Sequence, residues 1–164
     1  MSRLADALEQ LDFARRYTLE RIAGVPPAEW FTVPPGGVSH VAWQVGHLAM
    51  AEYRLCLDRL RPRTPADEEL ISDHFLATFS RDSDPAAVTG YTAEEIRAVH
   101  ARVHARVLAE LPGYPDPDLD LPPLKPHALY ATRIAGLRYA ALHEMIHCGQ
   151  IAMLRRMLGR PPIW

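Results

Sequence analysis

His143 and His147 stand four residues apart in the string His143-Glu144-Met145-Ile146-His147. On a helix that spacing puts both imidazoles on one face, with side-chain roots about 5–6 Å apart, so both can reach one metal ion. With His143 at 0° and a step of 100° per residue, His147, Gly136, Tyr139, Gln150, Leu154, Met157 and Leu158 fall within about 60° of it. This stripe is expected to face the interior. Two buried imidazoles need partners, and one metal ion serves both.

The string also fits His-Glu-x-x-His, in which zinc proteases use the glutamate as general base. The extended form of that motif needs glycine and histidine where this chain has Gln150 and Met153, and no Glu, Asp or His follows His147. The protease reading is set aside on that ground. A third ligand is expected from a facing helix instead, and Trp43-Gln-Val-Gly-His47-Leu supplies one. His47 shares its helical face with His40, Trp43, Ala51, Arg54 and Asp58. Three histidines from two helices leave one side of an ion open, as in catalytic zinc sites; structural sites are closed by four protein ligands.

The other histidines compete less well. His100 and His104 form a second i,i+4 pair, but Arg97, Arg102 and Arg106 make their helix more solvated. His40 lies seven residues before His47, about 10.5 Å along a helix, too far to share its ion. His74 and His127 are expected at the surface, one in a long connection and one at a helix edge.

The elements that must position these residues are parsed by proline, which breaks helix interiors at a cost of about 3 kcal/mol. Fifteen prolines leave four helical windows. The first runs from about Ser2 to Ala23, with Gly24 as its stop; the second opens on Ser39 as N-cap and runs to about Leu60. The third starts at the capping box Thr92-Ala-Glu-Glu95 and ends before Pro112; the fourth runs from about His127 to Leu158, closed by Gly159. No strand pattern competes. The expected fold is all-α, a four-helix bundle in a single domain over 1–164, with a long connection between helices 2 and 3. That connection, Pro62 to Gly90, is about 29 residues where bundle loops run to about 2–8. Its segment Ile71–Phe79 reads as a short helix packed over one end, walling the pocket or joining a dimer contact.

A net charge of −2 makes no case for nucleic acid or an anionic membrane. No run approaches the roughly 18 apolar residues of a membrane span, the N-terminus has no apolar signal core, and two cysteines make no disulfide framework. A cytoplasmic protein is expected.

Trp43-x-x-x-His47-Leu, followed by His143-Glu-x-x-His147-x-Gly149-Gln150-Ile151-x-x-Leu154-Arg155-Arg156-x-Leu158-Gly159, resembles the DinB/YfiT-like metalloprotein superfamily. The resemblance spans nearly the whole chain and is carried mainly by the fourth-helix motif. It implies a four-helix bundle in which His47, His143 and His147 hold a divalent metal, zinc or nickel, with the long loop as crossover and a homodimer as the common assembly. It also implies relatives that use a low-molecular-weight thiol, among them bacillithiol- and mycothiol-dependent transferases and a maleylpyruvate isomerase. Ser39-His40 departs from the asparagine that many members carry before the tryptophan, so the groups supporting the second-helix ligand are open.

Trp43 and Tyr139 read as core aromatics or substrate platforms. Gln150, placed on the interior stripe, could orient a ligand or a metal-bound water. Arg54 and Asp58 read as an interior ion pair, or Arg54 as an anchor for a substrate carboxylate. Glu144, 100° from His143, reads as solvated or as a support for the ligands. Cys56 and Cys148 point away from the site, so a reacting thiol would arrive as a cosubstrate. The expected function is that of a metal-dependent transferase for a small-molecule substrate and a thiol. A metal-dependent hydrolase and a non-catalytic metal-binding stress protein are the alternatives.

Overall fold

Ser2 accepts the Ala5 N–H on its side chain and opens α1, Arg3–Ala23. A computed structural model describes residues 2–163 of the chain. Met1 and Trp164, the ends of the domain read over 1–164, lie outside the described residues. Within them all regular structure is helical. The remaining helices are α2 (Val41–Tyr53), α3 (Pro65–Leu70), α4 (Asp73–Thr78), α5 (Ala93–Glu110) and α6 (Arg133–Met157). α1 lies against α6, and α2 packs on both α5 and α6. Among the described residues no helix is long and apolar enough to cross a membrane.

α2 is the central element. Every residue from Val41 to Tyr53 is buried, which is why this helix has no polar face. Its N-cap is His40 rather than Ser39: the His40 Nδ1 accepts the Trp43 N–H at 3.1 Å while Nε2–H donates to the Pro85 carbonyl at 2.8 Å. Both ring nitrogens of His40 are thus occupied by backbone. Past Tyr53 the helix widens into a π-turn, Arg54–Asp58.

α5 starts as expected. Thr92 and Glu95 cap each other reciprocally, with Glu95 Oε2 2.7 Å from the Thr92 N–H. α6 begins later than expected, at Arg133 with Thr132 as N-cap, because residues 127–130 fold into a tight turn bridged between His127 and Tyr130. Gly159 closes α6 with a φ of 77°, a conformation that favours glycine. Gly24 has a different reason. Its φ is −91°, and a Cβ there would sit 2.5 Å from the Arg155 guanidinium, which donates to the Arg21 carbonyl at the end of α1.

The buried face of α6 is not centred where a wheel on His143 puts it. Ile134, Leu137, Ala141, Glu144, Cys148, Ile151 and Arg155 are all buried and alternate three and four apart. With Arg133, Gly136, Ala140, His147 and Leu154, which are also buried, the face is centred about 90° from His143. Two expectations change in consequence. Gln150 falls on the far flank and is exposed, so it is not an interior amide. Glu144 lies in the middle of the face and is buried, not solvated.

Glu144 is buried because α1 brings a cation to it. The Arg15 Nε–H donates to Glu144 Oε1 at 3.0 Å, Nη1–H to the His100 carbonyl at 2.8 Å, and Nη2–H to Glu52. One guanidinium therefore joins α1, α2, α5 and α6. Burial alone would raise the Glu144 carboxyl; Arg15 overrides it and holds the group well below the usual carboxylate range. His104, the half of the rival pair nearer the surface, bonds Glu52 through Nδ1 at 2.7 Å and meets Asp12 through Nε2 at 3.3 Å. Its partner His100 is buried, with Nε2 3.8 Å from Glu144 and no hydrogen bond. The rival pair thus belongs to an ionic core network.

Replacing Arg15 with alanine leaves buried Glu144 without a cation and Glu52 with His104 alone. Urea unfolding should show a loss of about 3–5 kcal/mol, the usual cost of breaking a buried pair. The network is also linked to pH. Burial would lower the His104 pKa, but Glu52 and then Asp12 raise it above the ordinary 6.5. Its stabilisation is complete below pH 6.5 and lost as pH rises through the raised folded value. Unfolding midpoints should therefore fall as pH climbs above neutrality, and a His104→Gln protein should lose that slope.

Candidate metal centre

α2 and α6 cross so that His47, His143 and His147 meet. One ring nitrogen from each lies within 4.8 Å of the others, and no other such His, Cys, Asp or Glu group occurs among the described residues. Ring centroids are 4.7 Å apart for His47–His147, 4.6 Å for His143–His147 and 5.3 Å for His47–His143. A tetrahedral ion with metal–nitrogen bonds of about 2.0–2.1 Å needs nitrogens roughly 3.3–3.5 Å apart, a closure that small side-chain rotations supply.

Two of the rings have their tautomer set by a carbonyl oxygen. His47 Nδ1–H donates to the Phe79 carbonyl at 2.9 Å, and His147 Nδ1–H donates to Gln44 Oε1 at 2.6 Å. A carbonyl oxygen can only accept, so each Nδ1 carries the proton and each Nε2 offers its lone pair to the cluster. Gln44 is oriented in turn by its amide donating to Ser39 Oγ at 3.0 Å. Ser39 thus supports His147 on α6 through Gln44, while the second-helix residue His47 is supported by the Phe79 carbonyl.

All three rings are held neutral. Burial pushes each pKa down, to about 4 for His143 and about 3 for His147, with the neighbouring imidazoles adding to the effect; for His47 burial outweighs the opposing bond to the Phe79 carbonyl, and the Arg54 charge adds to the lowering. Neutral imidazoles, two of them pre-oriented through Nδ1, are the donor set that a divalent metal needs.

The Phe79 carbonyl reaches His47 because α4 lies across α2 at Gly46. The Phe79 ring packs where a side chain would stand: a Cβ on Gly46 would be 2.3 Å from its Cδ1. Phe79 is fully buried against Phe75 and Tyr91 and has little room to retreat. The connection lines the pocket through Ser80, Arg81 and Asp82, and not through the segment Ile71–Phe79 expected to wall it.

The cluster opens on one side into a cavity of about 710 Å³. His143 is less buried than His147 and sits at the edge of the α6 face, towards this space. Trp43 stacks on His47 at 4.7 Å with 14° between planes and donates its indole N–H to Ser83 Oγ at 2.9 Å. Trp43, Tyr139 and Arg54 line the cavity; Gln150 does not. Arg54 has no ion pair with Asp58, because Lys125 takes that carboxylate at 2.6 and 2.7 Å. The π-turn rotates residues after Tyr53 away from the regular wheel that put the two together.

Two residues of the site escape a sequence reading. Gln44 carries a signal, since an amide in a helix that is apolar all round must find partners. His127 carries none: it lines the cavity only because the turn before α6 folds back, with Tyr130 stacked on His127 at 4.3 Å and seated over Gly136.

A family model described as the DinB superfamily matches residues 10–151, and the chain belongs to that superfamily. The matched span contains all three histidines. No curated protein matches the chain.

Three substitutions test the centre. His143→Ala should abolish binding of one equivalent of divalent metal, read by elemental analysis of untagged protein, with helix content kept. Gln44→Ala, which frees the His147 ring, should weaken metal affinity by about 10–100-fold in a chelator competition. Gly46→Ala should displace Phe79, lower stability and weaken metal binding together. Full metal occupancy in His143→Ala would overturn the assignment.

Proposed function

We propose that this protein is a metal-dependent enzyme of the thiol-transferase type, with zinc or nickel held by His47, His143 and His147. In this reading the four long helices form a four-helix bundle and residues 62–90 its crossover. The observation that carries the proposal is the open side of the cluster: three nitrogen donors meet at the wall of a cavity of about 710 Å³ that also holds polar side chains. A purely structural site would be closed by a fourth protein ligand.

A second observation favours an external thiol. Cys56 and Cys148 are both free and buried, neither lines the cavity, and burial pushes both thiols up. A thiol reacting in the cavity is therefore a cosubstrate. When bound, a divalent ion lowers the pKa of such a thiol and holds its sulfur next to the electrophile.

The chain's own residues do the rest. Trp43 presents a flat wall held in place by Ser83, Gln44 and Phe79 fix the ligand rings, and Arg54 offers a cation to a polar group of the substrate. In the transfer, the thiol gives up its proton, to water with a halide or in the end to the opened oxygen with an epoxide, and a new sulfur–carbon bond forms. The bond from that carbon to the leaving group breaks, and its electron pair departs with the leaving group. Positioning of the two reactants supplies much of the acceleration, an effect worth several kcal/mol.

The test compares metal-loaded and apo protein for conjugation of bacillithiol and mycothiol to a panel of epoxides and alkyl halides. Metal-loaded protein should turn over at least one pair, and His143→Ala should not. Equal rates with and without metal across the panel would reject the proposal in favour of a metal-binding protein without turnover.

A further inference from the structure

The winding of α2 changes where it meets the cavity. Arg54–Asp58 form a π-turn, a rare feature concentrated at functional sites, and Arg59 closes it. Both arginines line the cavity together with His47 and His143. Among the described residues neither has a carboxylate partner. Arg54 makes no side-chain hydrogen bond; Arg59 makes one, from Nη1–H to the Arg54 carbonyl at 3.4 Å, and its Nε is buried without an acceptor.

The nearby acids are otherwise engaged. Asp58 is held by Lys125, and Asp82, the one acid lining the cavity, pairs with Arg81 at the exposed rim at 3.3 Å. His127 adds a third donor. Its Nδ1 accepts the Leu129 N–H at 3.2 Å, so its proton is on Nε2. The segment carrying it is tied to the π-turn by the Leu124 N–H, which donates to the Arg59 carbonyl at 2.8 Å. Both side chains are half-buried, Arg59 Nε is a buried donor without an acceptor, and a ligand anion is the group that would satisfy it and pair with both charges.

We propose that Arg54, Arg59 and His127 form a subsite for an anionic group, carboxylate or phosphate, of the molecule that occupies the cavity beside the histidine cluster. The transferase reading decides only which reactant carries that anion; the binding itself stands apart from it.

The test titrates full-length apo protein with succinate and with inorganic phosphate by calorimetry, which separates the two chemistries and keeps the metal from binding the anion. At least one should bind. Its affinity should fall about tenfold or more in Arg54→Gln and in Arg59→Gln, and less in Arg59→Lys, which keeps the charge but loses the fork. Arg81→Gln, at the rim, should change it less than about twofold. Circular dichroism checks that each variant is folded. His143→Ala should keep anion binding, so failure of the metal assignment leaves this result standing. Anion binding without thiol conjugation upholds the subsite and removes the transferase reading. No binding of either anion to wild-type apo protein at about 10 mM, or equal affinity in both arginine-to-glutamine variants, overturns the proposal.

Discussion

Arg15 sits at the centre of the core with two carboxylates around it, and the placement of the histidines follows from that contact. A guanidinium this deeply buried must be paired, and Glu52 and Glu144 do so from two different helices. Glu144 immediately follows His143 in the chain. Once its carboxylate is fixed on α1, the rotation of α6 about its own axis is fixed too, and His143 and His147 can only come to rest on the flank that faces α2. The bond from Arg15 to the His100 carbonyl brings α5 into the same register. A hydrophobic core alone would tolerate a small rotation of α6, whereas a bidentate ion pair in a medium without water does not.

The same rotation makes the cluster chemically useful. Centred on the buried face, the two α6 histidines would be enclosed; on its edge they are desolvated enough to stay neutral and still reach a cavity. His47 is held from outside its own helix, by a carbonyl at the end of α4 that approaches only because residue 46 has no side chain. The long connection is thus a structural part of the centre, coupling its folding to the orientation of one ligand.

The histidine pair, the start of α5 and the end of α6 were legible in the sequence because their signals are local. Two imidazoles four positions apart, a Thr-x-x-Glu box and a Gly-Arg-Pro-Pro exit each act within one or two turns. What the sequence concealed is not local. The wheel on α6 took His143 as its centre, but the centre is set by Arg15, 129 residues from Glu144, and so Gln150 and Glu144 exchanged places between interior and surface. On α2 a single π-turn defeated the assumption of a constant 100° step and gave Asp58 to Lys125. His127 could not be found at all, since its position depends on a turn that neither spacing nor polarity announces.

Two polar systems share α2 and are built on opposite principles. On the side facing α1, charges cancel within the protein: Arg15 and a protonated His104 offset Glu52 and Glu144, with Asp12 at the edge. That balance is complete without any ligand, so this side acts as a strut. On the cavity side the account stays open. Two imidazoles are fixed with Nε2 turned towards the histidine cluster, and Arg54 and Arg59 have no carboxylate partner among the described residues. A protein under selection for stability alone would close both sides, because unpaired buried groups are costly. The asymmetry locates the work of the molecule on the cavity face. It also explains how that face is kept open, since the closed network on the other side of the same helix supplies the rigidity that unsatisfied groups would otherwise erode.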